Sequence, residues 1–287
     1  MRITQSTIFG EARRGIMARL RALNHANQEV VTGKRVNILS ESPVDGAALL
    51  RIDAELRGVD RFRSSIVTAN TRLSVEDSVL DTVTELISQA ERAADLTNTD
   101  EDDPLRESSK REIATIREQI IDMANSQVTG EYIFSGTATD QPAFLDDGTY
   151  VGDSSARQFQ IAENTNIEVN HTGEELFAGA IQALDALAAA LETGDGETIQ
   201  SAMADLHDAR VEVQARHGEV GSRLRNLDLM DRQLGQRASH LLDQKQAIDE
   251  VDPAESVLKL QAAANALERA YAAVSRVIST NITDYLR

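Results

Sequence analysis

The chain has 287 residues, is 41% hydrophobic, and has no cysteine, no tryptophan and only 3% aromatic residues. The lack of cysteine excludes disulfides, thiolate catalysis and cysteine metal sites, and the few aromatic residues suit aliphatic helix seams better than a deep ligand pocket. The formal net charge is −18, yet residues 1–36 carry seven Arg or Lys against two Asp or Glu. Because these basic residues alternate with apolar ones and no stacking aromatics accompany them, we expect a protein partner there and no nucleic acid.

The first and last predicted helices each carry a narrow apolar stripe with three-, four- or seven-residue steps. In the first helix the stripe consists of Phe9, Ile16, Leu20, Leu23 and Val30. In the last helix it includes Val257, Leu260, Ala264, Leu267, Tyr271, Val274, Ile278 and Tyr285. A heptad stripe is buried most easily against another helix, so we predict that the two ends pair with each other or with a neighbouring copy. The polar interruptions Arg13, Asn27 and Asn281 suit the fixing of register.

Between the ends, the pattern predicts long helices with clear boundaries. Gly33 is a natural left-handed stop for the first helix, and Pro43, Pro104 and Pro253 each follow an N-cap residue at a predicted helix start. The second helix has apolar residues seven apart from Ile52 to Ala94, and a third is predicted from Pro104 to about Gln127. After a shorter helix, eight heptad positions predict a helix roughly 75 Å long: Ile199, Leu206, Val213, Val220, Leu227, Leu234, Leu241 and Ile248.

The segment from about 130 to 177 differs from the rest. It holds six of the ten aromatic residues, turn signals, and two short stretches that alternate with period two, Gln158–Ile161 and Ile167–Val169. We predict a small β-rich lobe inserted between helices. The fold class is therefore mostly α, an elongated helical rod of coiled-coil type with its terminal helices paired.

The sequence offers no constellation for catalysis, a metal or a cofactor. His217 falls beside a heptad seam, the acidic run 100–103 lacks the glycine and glutamate of a calcium loop, and Gly33-Lys34-Arg35 lacks most of a phosphate loop. We therefore expect no enzyme, no metal and no cofactor. We also expect no cleaved secretory signal at the start, and no apolar stretch that approaches a membrane span.

Three stretches give the chain a resemblance to a known family, flagellar hook-associated protein 3 (the FlgL family), a relative of flagellin. The first is Met1-Arg2-Ile3-Thr4 with the N-terminal helix and Thr32–Asn37, and the last is the ending with Asp284-Tyr285-Leu286. The most discriminating stretch lies at the junction of helix and lobe, where flagellins lack it. It contains the residues Gly130, Glu131, Tyr132, Ile133, Phe134, Ser135 and Gly136.

The resemblance implies a structural protein without catalysis, located in the extracellular flagellum and secreted through the flagellar type III pathway without a cleaved signal. The implied partners are a ring of identical copies, hook-associated protein 1, flagellin and an export chaperone, with no membrane insertion. The implied domains are a terminal helical domain (1–42 with 252–287), a long-helix rod (43–130 with 178–251) and an outer lobe (131–177).

Three other interpretations remain open at this stage. A short flagellin would have similar ends, but the stretch from Gly130 to Gly136 argues against it. A cytoplasmic coiled-coil signalling rod would explain the heptads and leave the β-rich lobe unexplained. An enzyme built on the lobe is the third.

Overall fold

A computed structural model describes residues 5–37, 42–96 and 103–285, and its side chains are described for 9–37, 42–96 and 104–276. The described part is mainly helical, with a π-helical turn at Glu174–Ala178 and two small antiparallel hairpins. The helices are α1 (Gln5–Thr32), α2 (Pro43–Asp95), α3 (Asp103–Ala124), α4 (Gly179–Thr193), α5 (Gly196–Asp249) and α6 (Pro253–Tyr285). The strands are β1 (Gln127–Val128), β2 (Glu131–Tyr132), β3 (Gln158–Ala162) and β4 (Thr165–Glu168).

The helix boundaries follow local backbone chemistry. Gly33 ends α1 with a φ of +67°, and its amide donates to the Glu29 carbonyl at 2.8 Å. Helices α2 and α6 begin at Pro43 and Pro253, and the carboxylate of Asp252 accepts a 2.8 Å hydrogen bond from the Ala254 amide. The mainly helical fold with small β hairpins is thus confirmed. The expected ends Met1–Thr4 and Leu286 lie outside the described residues.

The chain divides into two compact units. The central unit is Val59–Gln236, and the terminal unit combines Met1–Gly58 with Arg237–Arg287. The predicted three-part division into terminal, rod and lobe domains is not tested by this division and stays a prediction.

Heptad positions of α2 and α5 supply much of the core of the central unit. The buried residues include Ile66, Leu73, Leu80 and Ile87 of α2, and Leu206, Val213, Val220 and Leu227 of α5. Ion pairs also join the two helices, such as Arg63 with Asp231 at 2.9 Å and Arg210 with Glu91 at 3.0 Å. The long apolar periodicity of both helices therefore corresponds to a buried face on each helix.

Helix α4 packs on α3 and corrects one expectation from the sequence. The segment Glu174–Thr193 is long and apolar enough to cross a membrane by length and composition alone. The expectation that no stretch approaches this length was wrong, because Gln182 and Asp185 are too few polar interruptions among alanines and leucines. Half of the segment is buried, with Phe177, Leu184 and Leu187 inaccessible to solvent, so it is a core helix of the central unit.

In the terminal unit, α1 packs along α6. Ala26 and Glu29 of α1 and Ser256 of α6 are buried, whereas most residues of this helix pair are half-buried or exposed. Two helices can cover only one face of each other, so much of this pair remains accessible in a single copy.

Candidate assembly surface

The apolar stripe of α1 faces α6 only in part. Ile16, Leu20, Leu23 and Val30 are half-buried, whereas Phe9 is 52% exposed. The interruptions Arg13 and Asn27 are exposed as well.

The predicted stripe of α6 splits into two sets of heptad positions. Leu260, Leu267 and Val274 are half-buried in the pair with α1. Val257, Ala264 and Tyr271 form the second set and are exposed, Val257 to 43% and Tyr271 to 52%. Helix α1 thus covers one edge of the stripe and leaves the other bare.

The side chains of Ile278, Asn281 and Tyr285 lie outside the described residues, although α6 includes these positions. Their predicted part in an assembly interface stays a prediction, as it does for the rest of the stripe.

Glu29 is a buried acid of the helix pair that sequence reasoning missed. Its carboxylate lies 3.2 Å from Nδ1 of His25 and 3.9 Å from Nζ of Lys259. The pKa of Lys259 is raised by its hydrogen bond to Glu255, and by the charge of Glu29 to a smaller degree. The i,i+4 pair of His25 and Glu29 is the signal that could have drawn attention to this position.

A short backbone pairing, which we call the terminal clip, joins residues 33–35 to residues 248–251. The Arg35 amide donates to the Asp249 carbonyl at 2.6 Å, and the Val251 amide donates to the Gly33 carbonyl at 3.1 Å. The guanidinium of Arg35 also donates to the Ile248 carbonyl, at 3.0 Å from Nε and 2.7 Å from Nη2. The Thr32–Asn37 stretch quoted for the family resemblance therefore ties the end of α1 to the end of α5.

The family stretch Gly130–Gly136 forms part of the β1–β2 turn and the first buried segment of the lobe. Gly130 has a φ of +85° in the β1–β2 turn, and the Tyr132 amide donates to the Thr139 carbonyl at 3.0 Å. Ser135 is buried, and Gly136 has a φ of +74° against Asp153, where a Cβ would overlap the Asp153 side chain and carbonyl. These residues shape the lobe and lie in the central unit, apart from the terminal helices in sequence.

The core of the lobe is a cluster of aromatic rings around Phe134. This ring is fully buried and meets Phe177 edge-on, with ring centroids 4.9 Å apart. The ring centroid of Phe144 lies 5.2 Å from that of Tyr150 and 6.3 Å from that of Phe177. The hydroxyl of Tyr150 donates to the carbonyls of Phe134 and Asp153, and burial raises the pKa of Tyr150 to about 12. The aromatic concentration seen in the sequence thus indicates a real hydrophobic centre.

A buried histidine connects the lobe to the helices of the central unit. Nδ1 of His171 lies 2.5 Å from the carboxylate of Glu76 in α2, and Nε2 lies 3.2 Å from the carboxylate of Glu219 in α5. Glu76 is only 1% exposed, and the hydrogen bond from His171 lowers the pKa of Glu219. Sequence reasoning missed this network, because residues 95 and 48 positions apart share no periodic signal.

Glu131 gives the family stretch a second link to α2. Its carboxylate accepts a 2.7 Å hydrogen bond from Arg157 and pairs with the buried Arg72. The pKa of Arg72 is lowered by burial and by the nearby charge of Arg157. A carboxylate between two guanidinium groups holds the turn against α2.

Comparison with known proteins adds the family context. The family model of the bacterial flagellin N-terminal helical region matches residues 4–139. Flagellar hook-associated protein 3 of Escherichia coli is 25% identical over 285 residues, which cover 88% of this chain and 89% of the relative.

Two solved structures show the same fold. A Vibrio parahaemolyticus protein assigned as a flagellar hook-associated protein has a TM-score of 0.69 and 24% identity, covering 73% of this chain and all of that one. The flagellar junction protein FlgL of Legionella pneumophila has a TM-score of 0.56 and 13% identity, covering 72% of this chain and all of that one.

The fold and the family match define the class, which is a mainly helical protein similar over residues 4–139 to the N-terminal helical region of bacterial flagellin. Within that class, the resemblance to flagellar hook-associated protein 3 is confirmed over most of the chain.

Proposed function

We propose that this chain is a structural protein of the bacterial flagellum, which forms the junction between hook and filament on which flagellin assembles. The observation that carries the proposal is the α1–α6 pair, in which α1 leaves the heptad edge Val257, Ala264 and Tyr271 bare. A bare apolar edge beside a paired helix suits contact with further helices in an assembly. The name of the Escherichia coli relative supplies the place of that assembly.

The finer parts of the proposal are partners, location and the absence of catalysis. We infer a ring of identical copies with hook-associated protein 1 on one side and flagellin on the other, and an export chaperone before secretion through the type III pathway. The lobe, residues 131–177, would face solvent, and the terminal helices would form the inner layer. The role is structural, not enzymatic, and needs no cofactor, no nucleic acid and no membrane insertion.

Deletion of the gene in its own bacterium tests the proposal by electron microscopy and by assay of flagellin in the medium. We expect hooks without filaments, with flagellin lost to the medium, and recovery of filaments when the full chain is supplied. A short flagellin would give a different result, because its deletion would remove that protein from the medium. Intact filaments in the deletion strain would overturn the junction role.

A further inference from the structure

The outward face of α1 carries a pair of unpaired arginines. Arg14 and Arg21 are exposed and make no ion pair or hydrogen bond among the described residues. They lie seven residues apart, so they share one helix face about 10.5 Å apart along the axis. The half-buried Ile16, Leu20 and Leu23 point the other way, so the arginine pair faces away from α6.

The terminal unit also has a groove beside the clip, which we call the clip notch. Its part next to α6 is lined by the acids Asp243, Glu250 and Asp252, whereas Lys34 and Lys245 line the other part. One part of about 440 Å³ is lined by Thr32–Lys34 and by the last turns of α5. A second part of about 560 Å³ continues to the start of α6, and both parts share Gln246 and Glu250.

Two carboxylates of the clip notch repeat the spacing of the arginines. Asp243 and Glu250 are exposed, make no ion pair among the described residues, and lie seven positions apart. The Glu250 amide donates to the Gln246 carbonyl at 2.8 Å, so the helical turn continues through Glu250. Their carboxylates therefore lie on one face at the same separation as the guanidinium groups.

Asp249 is a buried acid at the notch with one unsatisfied carboxylate oxygen. It is 7% exposed and lines the groove, with Oδ2 at 3.6 Å from Nζ of Lys34. Its other oxygen, Oδ1, is buried without a hydrogen-bond partner. A buried carboxylate oxygen without a donor is costly, and a cation that docks beside Asp249 would lower the cost of its buried charge.

We propose that Arg14 and Arg21 of one copy dock in the clip notch of an adjacent copy, where they pair with Asp243 and Glu250 beside Asp249. The contact uses different surfaces on the two partners, so it repeats from copy to copy and generates a ring or a helical array. This inference rests on the proposed junction role and names the surfaces by which copies meet.

Cysteine cross-linking tests the contact directly, because the natural chain has no cysteine. Arg14→Cys or Arg21→Cys is combined with Asp243→Cys or Glu250→Cys, and isolated flagella are treated with a short bismaleimide. We expect ladders of this chain alone in the double variants and none in the single variants. Arg14→Cys with Glu212→Cys, an exposed acid of α5 in the central unit, is the matched control without a ladder. Cross-links to another protein, or no ladder in any of the four double variants, would overturn the proposal.

Charge exchange gives the second test. Arg14→Glu with Arg21→Glu, and Asp243→Arg with Glu250→Arg, should each cause loss of filaments, and all four changes together should restore them. Asp205→Arg with Glu212→Arg reverses another exposed pair of α5 at the same spacing and should keep filaments.

The deletion strain separates this inference from the proposed function. Filaments in that strain would refute the junction role itself. Loss of filaments on deletion, together with normal filaments in both charge-reversal variants, would refute only the docking contact. A four-fold variant that stays defective with native circular dichroism would refute it too.

Discussion

Phe134 is the residue on which the lobe core depends most. Its ring is inaccessible to solvent, and its carbonyl accepts hydrogen bonds from the Gly173 amide at 2.7 Å and the Tyr150 hydroxyl at 3.2 Å. The side chain fills the space beside Phe177, while the backbone closes the segment that returns to α4. One residue thus serves both hydrophobic burial and chain geometry.

We predict that Phe134→Ala lowers the free energy of unfolding of the central unit by about 3–5 kcal/mol, because it leaves a cavity among aromatic rings. Urea unfolding followed by circular dichroism measures the change. Leu145→Ala is the matched control, since Leu145 is 45% exposed in the same lobe and should change stability by about 0.5 kcal/mol or less. Equal effects of the two variants would contradict the role given to Phe134.

Asp153 gives the lobe a dependence on acid. The Thr137 hydroxyl, the Thr137 amide and the Ser155 amide each donate a hydrogen bond to this carboxylate. Together they lower the pKa of Asp153 to about 2. A lowered pKa stabilises the folded state above the ordinary value near 3.8, and this contribution is lost as the pH falls toward 2. Because the carboxylate is near solvent, we expect it to contribute about 1 kcal/mol.

Asp153→Asn should therefore reduce stability at pH 7 and have little effect near pH 2. Thermal unfolding of both proteins between pH 7 and pH 2 measures the difference. Asp140→Asn, at an exposed site in the same loop region, serves as the control. A difference that stays constant across this range would argue against a charge-dependent contribution.

Among the elements, α6 separates the stability of the helix pair from assembly. Leu267 is half-buried in the pair with α1, whereas Tyr271 is exposed on the bare edge. A charge at position 267 should destabilise the α1–α6 pair by on the order of 2 kcal/mol, but a charge at position 271 should not.

We therefore predict that Leu267→Asp loses helix content on heating earlier than the natural chain and also loses filament attachment. Tyr271→Asp should melt like the natural chain and still lose filaments. Circular dichroism and filament counts measure the two effects, and Leu258→Asp, at another exposed position of α6, checks that an acidic side chain alone does not destabilise the helix. Full filament retention in Tyr271→Asp would count against the bare edge as a contact surface.

The β3–β4 hairpin lies outside the aromatic cluster of the lobe, although Ile161 of β3 is buried and Glu168 of β4 pairs with Arg223 of α5. Its neighbours are already joined, because the Val169 amide donates to the Arg157 carbonyl at 3.0 Å. Deletion of residues 158–168 with a two-glycine link should keep the aromatic core and filament attachment. Deletion of 145–170 removes Tyr150 as well, which exposes the face of Phe144 that it covers and removes a hydrogen bond to the Phe134 carbonyl. Hydrogen exchange of the lobe should therefore rise sharply only in the larger deletion, and equal rises would refute this distinction.

How far the sequence predicted each element depended on how local its signal was. The starts of α2 and α6 follow from Pro43 and Pro253. Strand β3 lies where period-two alternation predicted it, and β4 begins two residues before its predicted stretch. The β1–β2 hairpin was missed as a separate element, since its turn depends on positive φ values at Thr129 and Gly130 in strands of only two residues. The α6 stripe was read as one seam, because heptad spacing does not say how many partners cover it.

The site showed the same limit. Apolar periodicity predicted which residues of the terminal helices face a partner in an assembly, and this stays a prediction. Glu29 and the clip had no such signal, because they depend on contacts between distant segments. The His171 network likewise joins three segments through side-chain geometry, which composition and spacing do not encode.

At the scale of the whole molecule, the two units should differ in resistance to protease. The central unit has a long core of buried heptad positions, whereas the terminal unit consists of the α1–α6 pair, the clip, and the short segments of α2 and α5, in which the buried hydrophobic residues are Leu49, Ile52 and Leu241. We predict that limited trypsin digestion of isolated chains removes residues of the terminal unit first and leaves a product close to 59–236 by mass spectrometry. In flagella the same sites should be protected, and equal cleavage in both states would indicate that the terminal helices make no contacts with neighbours.

The terminal clip has a consequence for the order of folding. It joins Arg35 to Ile248 across 213 positions, whereas the central unit is one uninterrupted segment. Closing so long a loop costs entropy that only prior folding of the intervening segment can reduce. The clip should therefore form last, after the central unit has brought its two ends into reach. The clip also borders the clip notch, so a partly folded chain would present no complete docking surface. The timing of folding would thereby prevent premature association between copies.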